Sequence, residues 1–190
     1  MIGYLALARD TFDINYALDN KKWFEKFIDI LDIKYSQFNE LITDDETGNK
    51  AISYFKKLNC TKYIIAQTTF TDAKFITSFA KTFNKPIHLI SFKEPRTGKR
   101  LRLNSLCGVN LAMHSLIKLK YKPEFSIFIK DKLFEMEKIN NFIKNKKILN
   151  NNKLKKITNF KKENKKKISK KKNLGLVGKR PDGFYTCDYD

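Results

Sequence analysis

Cysteine is scarce in this chain. Cys60, Cys107 and Cys187 are three in 190 residues, far apart, and form neither a Cys-x-x-Cys nor a Cys/His spacing. That pattern argues against a disulfide framework and against a zinc site, and fits a reducing compartment. Histidine is scarcer still, with His88 and His114 alone and no His-x-His or Glu-x-x-His arrangement to hold a metal. His88 falls in mid-strand and His114 in mid-helix, so both read as core or surface histidines rather than catalysts. No eighteen-residue apolar run occurs, so no membrane span is expected. The apolar N-terminus lacks a basic n-region and runs straight into Arg9-Asp10, which makes it a poor signal peptide; a cytoplasmic location is expected. The first strand-to-helix turn carries no G-x-G-x-x-G, and no G-x-x-x-x-G-K-[ST] occurs anywhere, so neither a dinucleotide nor a P-loop phosphate site is expected.

What the chain has in abundance is positive charge and phenylalanine. The net charge is +19 and Phe numbers 16. Residues 1–117 hold 17 basic and 12 acidic side chains, residues 118–172 hold 20 and 5, and residues 173–190 hold 2 and 3. The basicity therefore belongs to one segment, and no whole-surface electrostatic argument follows from the total. Within 144–172 only Phe160 interrupts the lysines as an aromatic, and arginine is missing, so stacking platforms for bases are lacking and nucleic acid is not the expected partner.

Taken in order, residues 2–8 are a short continuous apolar run, as in a parallel strand buried on both faces. After the polar loop Arg9-Asp10-Thr11-Phe12-Asp13, with Thr11 and Asp13 as N-cap candidates, Ala17, Trp23, Phe24, Phe27, Ile28 and Leu31 fall on one helical stripe. Residues 33–38 predict a weaker second strand, and Thr43-Asp44-Asp45-Glu46 a capped helix with Ala51, Ile52, Phe55 and Leu58 inward. Residues 62–66 predict strand three, Phe75 to Phe83 at core spacing the next helix, and 87–92 strand four. A helix follows over about 104–119, patterned by Leu106, Val109, Asn110, Met113, Leu116 and Ile117. Strands alternating with helices predict an α/β fold, a doubly wound parallel sheet of Rossmann- or flavodoxin-like type in order 2-1-3-4. Residues 124–149 read as one long amphipathic helix, and 150–172 as a solvated or mobile Lys/Asn linker. A short apolar run at 174–177 predicts a fifth strand, and Pro181-Asp182-Gly183-Phe184 a turn. The expected division is a first domain over 1–119, a helical Lys-rich spacer over 120–172 and the start of a second α/β domain over 173–190.

Open α/β sheets bind ligands in the crevice outside the carboxyl ends of their strands. The loops expected there hold Arg9, Asp10 and Asp13; Gln67, Thr68, Thr69, Phe70 and Asp72; and Glu94, Arg96, Arg100, Asn104 and Ser105. Mixed donors and acceptors of this kind suit a hydroxyl-rich ligand such as a sugar, because each buried polar group left unpaired costs roughly 1–3 kcal/mol. Arg9, Asp13, Gln67, Thr69, Phe70, Glu94, Arg100, Asn104 and Ser105 are the substrate-binding candidates. For Asp13, Asp72 and Asn104 helix capping is the competing role. No catalytic or metal-ligating set is found within these residues.

Four blocks carry a family resemblance: Leu7-Ala8-Arg9-x-Thr11-Phe12-Asp13; Gln67-x-Thr69-Phe70-Thr71-Asp72-Ala73; Glu94-x-x-Thr97-Gly98-x-Arg100-Leu101-Arg102-Leu103-Asn104-Ser105-Leu106-Cys107-Gly108-Val109-Asn110-Leu111-Ala112-x-His114; and Gly178-x-x-Pro181-Asp182-Gly183-Phe184-x-Thr186-Cys187. The chain resembles the N-terminal half of the L-fucose/L-arabinose isomerase-like family. The resemblance implies aldose–ketose isomerisation at a divalent metal, usually Mn²⁺, held by acidic residues and a histidine in later domains, with a carboxylate moving a proton between C1 and C2 through an enediol. It also implies that these 190 residues contribute substrate and subunit contacts to a homo-oligomer and are inactive alone. A non-catalytic sugar-binding module and a basic nucleic-acid-interacting protein are the alternative classes.

Overall fold

The computed structural model describes residues 1–31, 33–98, 100–129, 133–145 and 182–185. The elements run β1 (Ile2–Leu7), α1 (Ile14–Ile30), β2 (Tyr35–Ile42), α2 (Asp45–Lys56), β3 (Lys62–Gln67), α3 (Lys74–Phe83), β4 (Ile87–Phe92), α4 (Ser105–Lys118), β5 (Glu124–Phe128) and α5 (Leu133–Ile143). The five strands form one wholly parallel sheet in the order β2-β1-β3-β4-β5. It is the expected doubly wound α/β fold, and the expected order 2-1-3-4 holds.

The continuous apolar runs explain the three central strands. β1, β3 and β4 are buried at every position, because helices cover both faces of the sheet. One core, under α2, α3 and α4, is aromatic: the Tyr63 ring meets Phe55, Phe79 and Phe83 with centroids 4.8–5.4 Å apart. The opposite core sets Phe24, Phe27 and Ile28 of α1 and Ile139 and Phe142 of α5 against Tyr4, Ile64, Ile90 and Phe92. Ring pairs at such distances add about 0.5–1.5 kcal/mol each beyond their buried area.

Caps set the helix starts. Asp13 accepts the Tyr16 N–H and opens α1, while Asp44 and Thr47 form a reciprocal capping box at α2, with Asp45 and Glu46 in its first turn.

Three expectations are corrected. β2 lies at 35–42 rather than 33–38: this edge strand is buried only at Phe38 and Ile42, and its register against β1 shifts between Gln37 and Leu41, leaving Asn39 and Glu40 exposed. Residues 124–128 are a strand, not the start of a long helix. β5 pairs with β4, so the sheet continues past residue 119. The fifth strand expected at 174–177, like the Lys-rich segment beyond residue 145, lies outside the described residues. Finally, α4 buries Ser105, Gly108, Val109, Leu111, Ala112, Ser115 and Leu116, leaving Leu106 and Ile117 exposed at 43% and 57%. Small residues let this helix lie close on the sheet, so its inward face is not its most apolar one.

Candidate functional site

The carboxyl ends of β1, β3 and β4 and the turn at 182–185 come together at one edge of the sheet. Much of the polar chemistry expected there is spent on joining the strand ends to one another. Thr68 donates through both its N–H (2.9 Å) and its Oγ1 (2.7 Å) to the Leu7 carbonyl, and the Arg9 N–H donates to Thr69 Oγ1 at 2.8 Å. Both threonines are fully buried. Ser105, also buried, donates to the Gln67 carbonyl and accepts the Phe92 N–H at 2.9 Å, which ties the ends of β3 and β4 to the first turn of α4. The Gln67 side chain is sealed beneath α4, where its Oε1 accepts from Thr71 Oγ1 at 3.1 Å. Gly108 makes this possible: a Cβ there would stand 2.4 Å from Gln67 Oε1.

The loop after β4 is organised by Glu94. Its carboxylate accepts the backbone N–H groups of Arg102 (2.6 Å), Leu103 (3.2 Å) and Asn104 (2.8 Å), so it builds the loop instead of reaching outward. Asn104, at φ 49°, leads into α4 without a side-chain cap bond. Asp13 receives Arg102 Nε at 2.9 Å and Nη2 at 2.6 Å besides capping α1. The Tyr16 backbone N–H first, and then the Arg102 guanidinium, hold its carboxyl below the usual aspartate range. Arg102 in turn lies over the Tyr16 ring at 4.5 Å. Phe70 donates its N–H to the Leu103 carbonyl and packs between Phe12 and Phe184. The Gly183 carbonyl accepts from Ala73, in the turn expected there, with Gly183 at φ 81°.

Arg9 and Arg100 stay exposed; Arg100 Nη2 donates to the Thr11 carbonyl at 3.1 Å. Arg9 borders a crevice of about 280 Å³, together with Thr43, Asp44 and Asp45 after β2 and Asp72, Lys74 and Asp182. The β2 end had been read only as a helix cap, but its parallel pairing with β1 brings that cap to the shared edge. Across the sheet, Asn20 and Trp23 of α1 line a second cavity that sequence periodicity gave only as helix surface or core.

His88, Ser126 and Glu124 mimic a catalytic triad. His88 Nε2 lies 2.9 Å from Ser126 Oγ, and Nδ1 lies 3.6 Å from the Glu124 carboxylate. Yet Ser126 is wholly buried and His88 is 1% exposed, so no substrate reaches the hydroxyl. Burial first, and the Lys138 ammonium second, push the His88 pKa down to about 4. It is a neutral core histidine. Among the described residues no group of three or more His, Cys, Asp or Glu side chains is placed to hold a metal ion. No helix among them is long and apolar enough to cross a membrane.

The family model for the N-terminal domain of fucose/sulfoquinovose isomerase matches residues 3–153. The chain belongs to this family. The sulfoquinovose isomerase of Alkalicoccus urumqiensis is 24% identical over 189 residues, covering 98% of this chain and 38% of that protein. Those of Priestia aryabhattai and Priestia megaterium are 29% identical over 110 residues, covering 56% of this chain and 24% of theirs. The chain thus spans well under half the length of the curated relatives it matches.

Proposed function

We propose that this chain is the first α/β domain of a sugar aldose–ketose isomerase, presenting substrate and subunit contacts while other residues carry the hydrogen transfer. The observation behind this reading is the family match over 3–153, which includes the loops after β1, β2, β3 and β4. In the reaction a base removes the proton at C2 of the aldose, an enediol forms, and a proton is returned at C1 to give the ketose. The described residues offer orientation and not this chemistry: His88 is sealed and neutral, and Glu94 is held by three backbone donors. A divalent metal, whose ligands the resemblance places in later domains, would stabilise the enediolate oxygens.

In this reading Arg9 and Arg100 meet the substrate. Gln67, Thr69, Phe70, Glu94, Asn104, Ser105 and Asp13 fix the loops that carry them. Guanidinium groups suit an anionic sugar, and the matched relatives are named for sulfoquinovose, a sulfonated sugar. Titration of the 190-residue chain with sulfoquinovose and with L-fucose, followed by NMR, tests this. Saturable shifts at the strand-end edge that weaken several-fold in Arg9→Ala and Arg100→Ala are expected. Incubation with either sugar and Mn²⁺ should give no ketose. Turnover near ordinary enzyme rates, about 1–10³ per second, would place an active site within these residues and overturn the division of labour.

A further inference from the structure

On the α1 face of the sheet, opposite the crevice beside Arg9, lies a cavity of about 400 Å³. α1 supplies Tyr16, Asn20 and Trp23 at helical i, i+4, i+7 spacing, and the loop after β4 supplies Lys93 and Arg96. Three observations give this cavity the chemistry of a ligand site. Asn20 is 4% exposed, and among the described residues its Nδ2 has no hydrogen-bond partner. A buried amide left so is unfavourable unless something else occupies it. The aromatic wall is preset: Trp23 meets Tyr16 edge-on at 6.1 Å, and Tyr16 is held from behind by Arg102, itself locked to Asp13. Lys93 and Arg96 stand exposed at the rim. Among the described residues the one carboxylate lining the cavity, Glu94, accepts from three backbone N–H groups.

We propose that this cavity binds a small organic anion in which a ring with a hydrogen-bonding edge carries a phosphate or sulfonate. The ring lies against Trp23, its edge satisfies the Asn20 carboxamide, and the anionic group meets Lys93 and Arg96. The volume suits one such molecule and no macromolecule. The cavity shares the loop after β4 with the isomerase reading but is lined by neither Arg9 nor Arg100, so its test is separate from that of the isomerase reading.

Trp23 is the single tryptophan of the chain and lines this cavity, so its fluorescence reports occupancy directly. The 190-residue chain is titrated with glucose 6-phosphate, with AMP and with inorganic phosphate. A saturable change with glucose 6-phosphate assigns a sugar anion, and one with AMP a nucleotide; either supports the site. The response should weaken about tenfold in Asn20→Leu, the size expected for one lost buried hydrogen bond; it should weaken with added salt in the wild type, and be both weaker and less salt-sensitive in Lys93→Ala/Arg96→Ala, which removes the exposed cations. Asn20→Leu removes an unsatisfied amide from the core, so its melting temperature should not fall, whereas a purely structural asparagine would destabilise on removal. No saturable response to either organic anion at up to about 10 mM, a response as strong with inorganic phosphate alone, or undiminished binding in both variants would overturn the proposal.

Discussion

Burial of a neutral histidine makes the stability of this domain depend on pH. His88 sits on β4 at 1% exposure, with Nε2 on Ser126 Oγ and its ring 4.9 Å from that of Phe142. Its folded pKa is about 4 against an ordinary 6.5. Between these values the unfolded chain binds a proton that the folded chain refuses, so stability falls as pH falls through 6.5 and levels off below about 4. A difference of about 2.5 units at 1.36 kcal/mol each gives a loss of about 3 kcal/mol, a large share of a typical 5–15 kcal/mol total. The Glu124 carboxylate 3.6 Å from Nδ1 is half exposed at 52%, so its attraction to a protonated ring is screened and recovers only part of this. Other groups also titrate in this range, so the informative quantity is the difference from His88→Gln, which keeps a hydrogen-bonding side chain but cannot titrate. Urea unfolding at several values from about pH 7 to about pH 4 measures it. The wild type should lose about 3 kcal/mol relative to the variant over that interval. A difference constant with pH would show that the ring takes up its proton without opening the core, and would refute the reasoning.

Two further outcomes follow from single contacts. Lys62, buried at the start of β3, donates to the Phe142 carbonyl (2.7 Å), the Ile143 carbonyl (2.8 Å) and Asn145 Oδ1 (2.7 Å), closing the C-terminal end of α5 from another element. Lys62→Met should lower stability by about 2–4 kcal/mol in denaturant unfolding, with the α5 amides losing hydrogen-exchange protection first. Gly108→Ala would gain up to about 1 kcal/mol of helix propensity. It nonetheless places a methyl 2.4 Å from Gln67 Oε1 and 3.1 Å from the Phe70 backbone, so a net loss of about 1–3 kcal/mol is expected in a thermal melt.

Where the sequence was legible, periodicity and burial agreed. β1, β3 and β4 are wholly buried, so their unbroken apolar runs mark them out, and the strand order follows from the alternation of strands with helices. β5 was illegible for the opposite reason. Its inward Ser126 is polar and bound to His88, while its outward Phe125 is 44% exposed, so the hydrophobic alternation of an edge strand is inverted. In α4 the inward face is marked by small residues, whereas Leu106 and Ile117 supply a louder but outward-facing signal.

The strand-end loops pose a subtler problem, because residue type does not reveal what a polar group is already doing. Gln67, Thr69 and Ser105 look like ligand contacts in sequence, yet they are buried, and their hydrogen bonds run to Thr71, Arg9, Phe92 and the β3 end itself. Glu94 likewise looks like a ligand contact, yet its carboxylate accepts three backbone N–H groups of its own loop. Such internal pairing is what a site of orientation requires. Exposed cations such as Arg9 and Arg100 lose less entropy on meeting a ligand when the loops beneath them are already fixed. A general base needs the reverse arrangement, a carboxylate or imidazole with lone pairs open to substrate and a pKa near working pH. Glu94 fails the first condition and His88 both, so neither is placed to move a proton to or from a substrate.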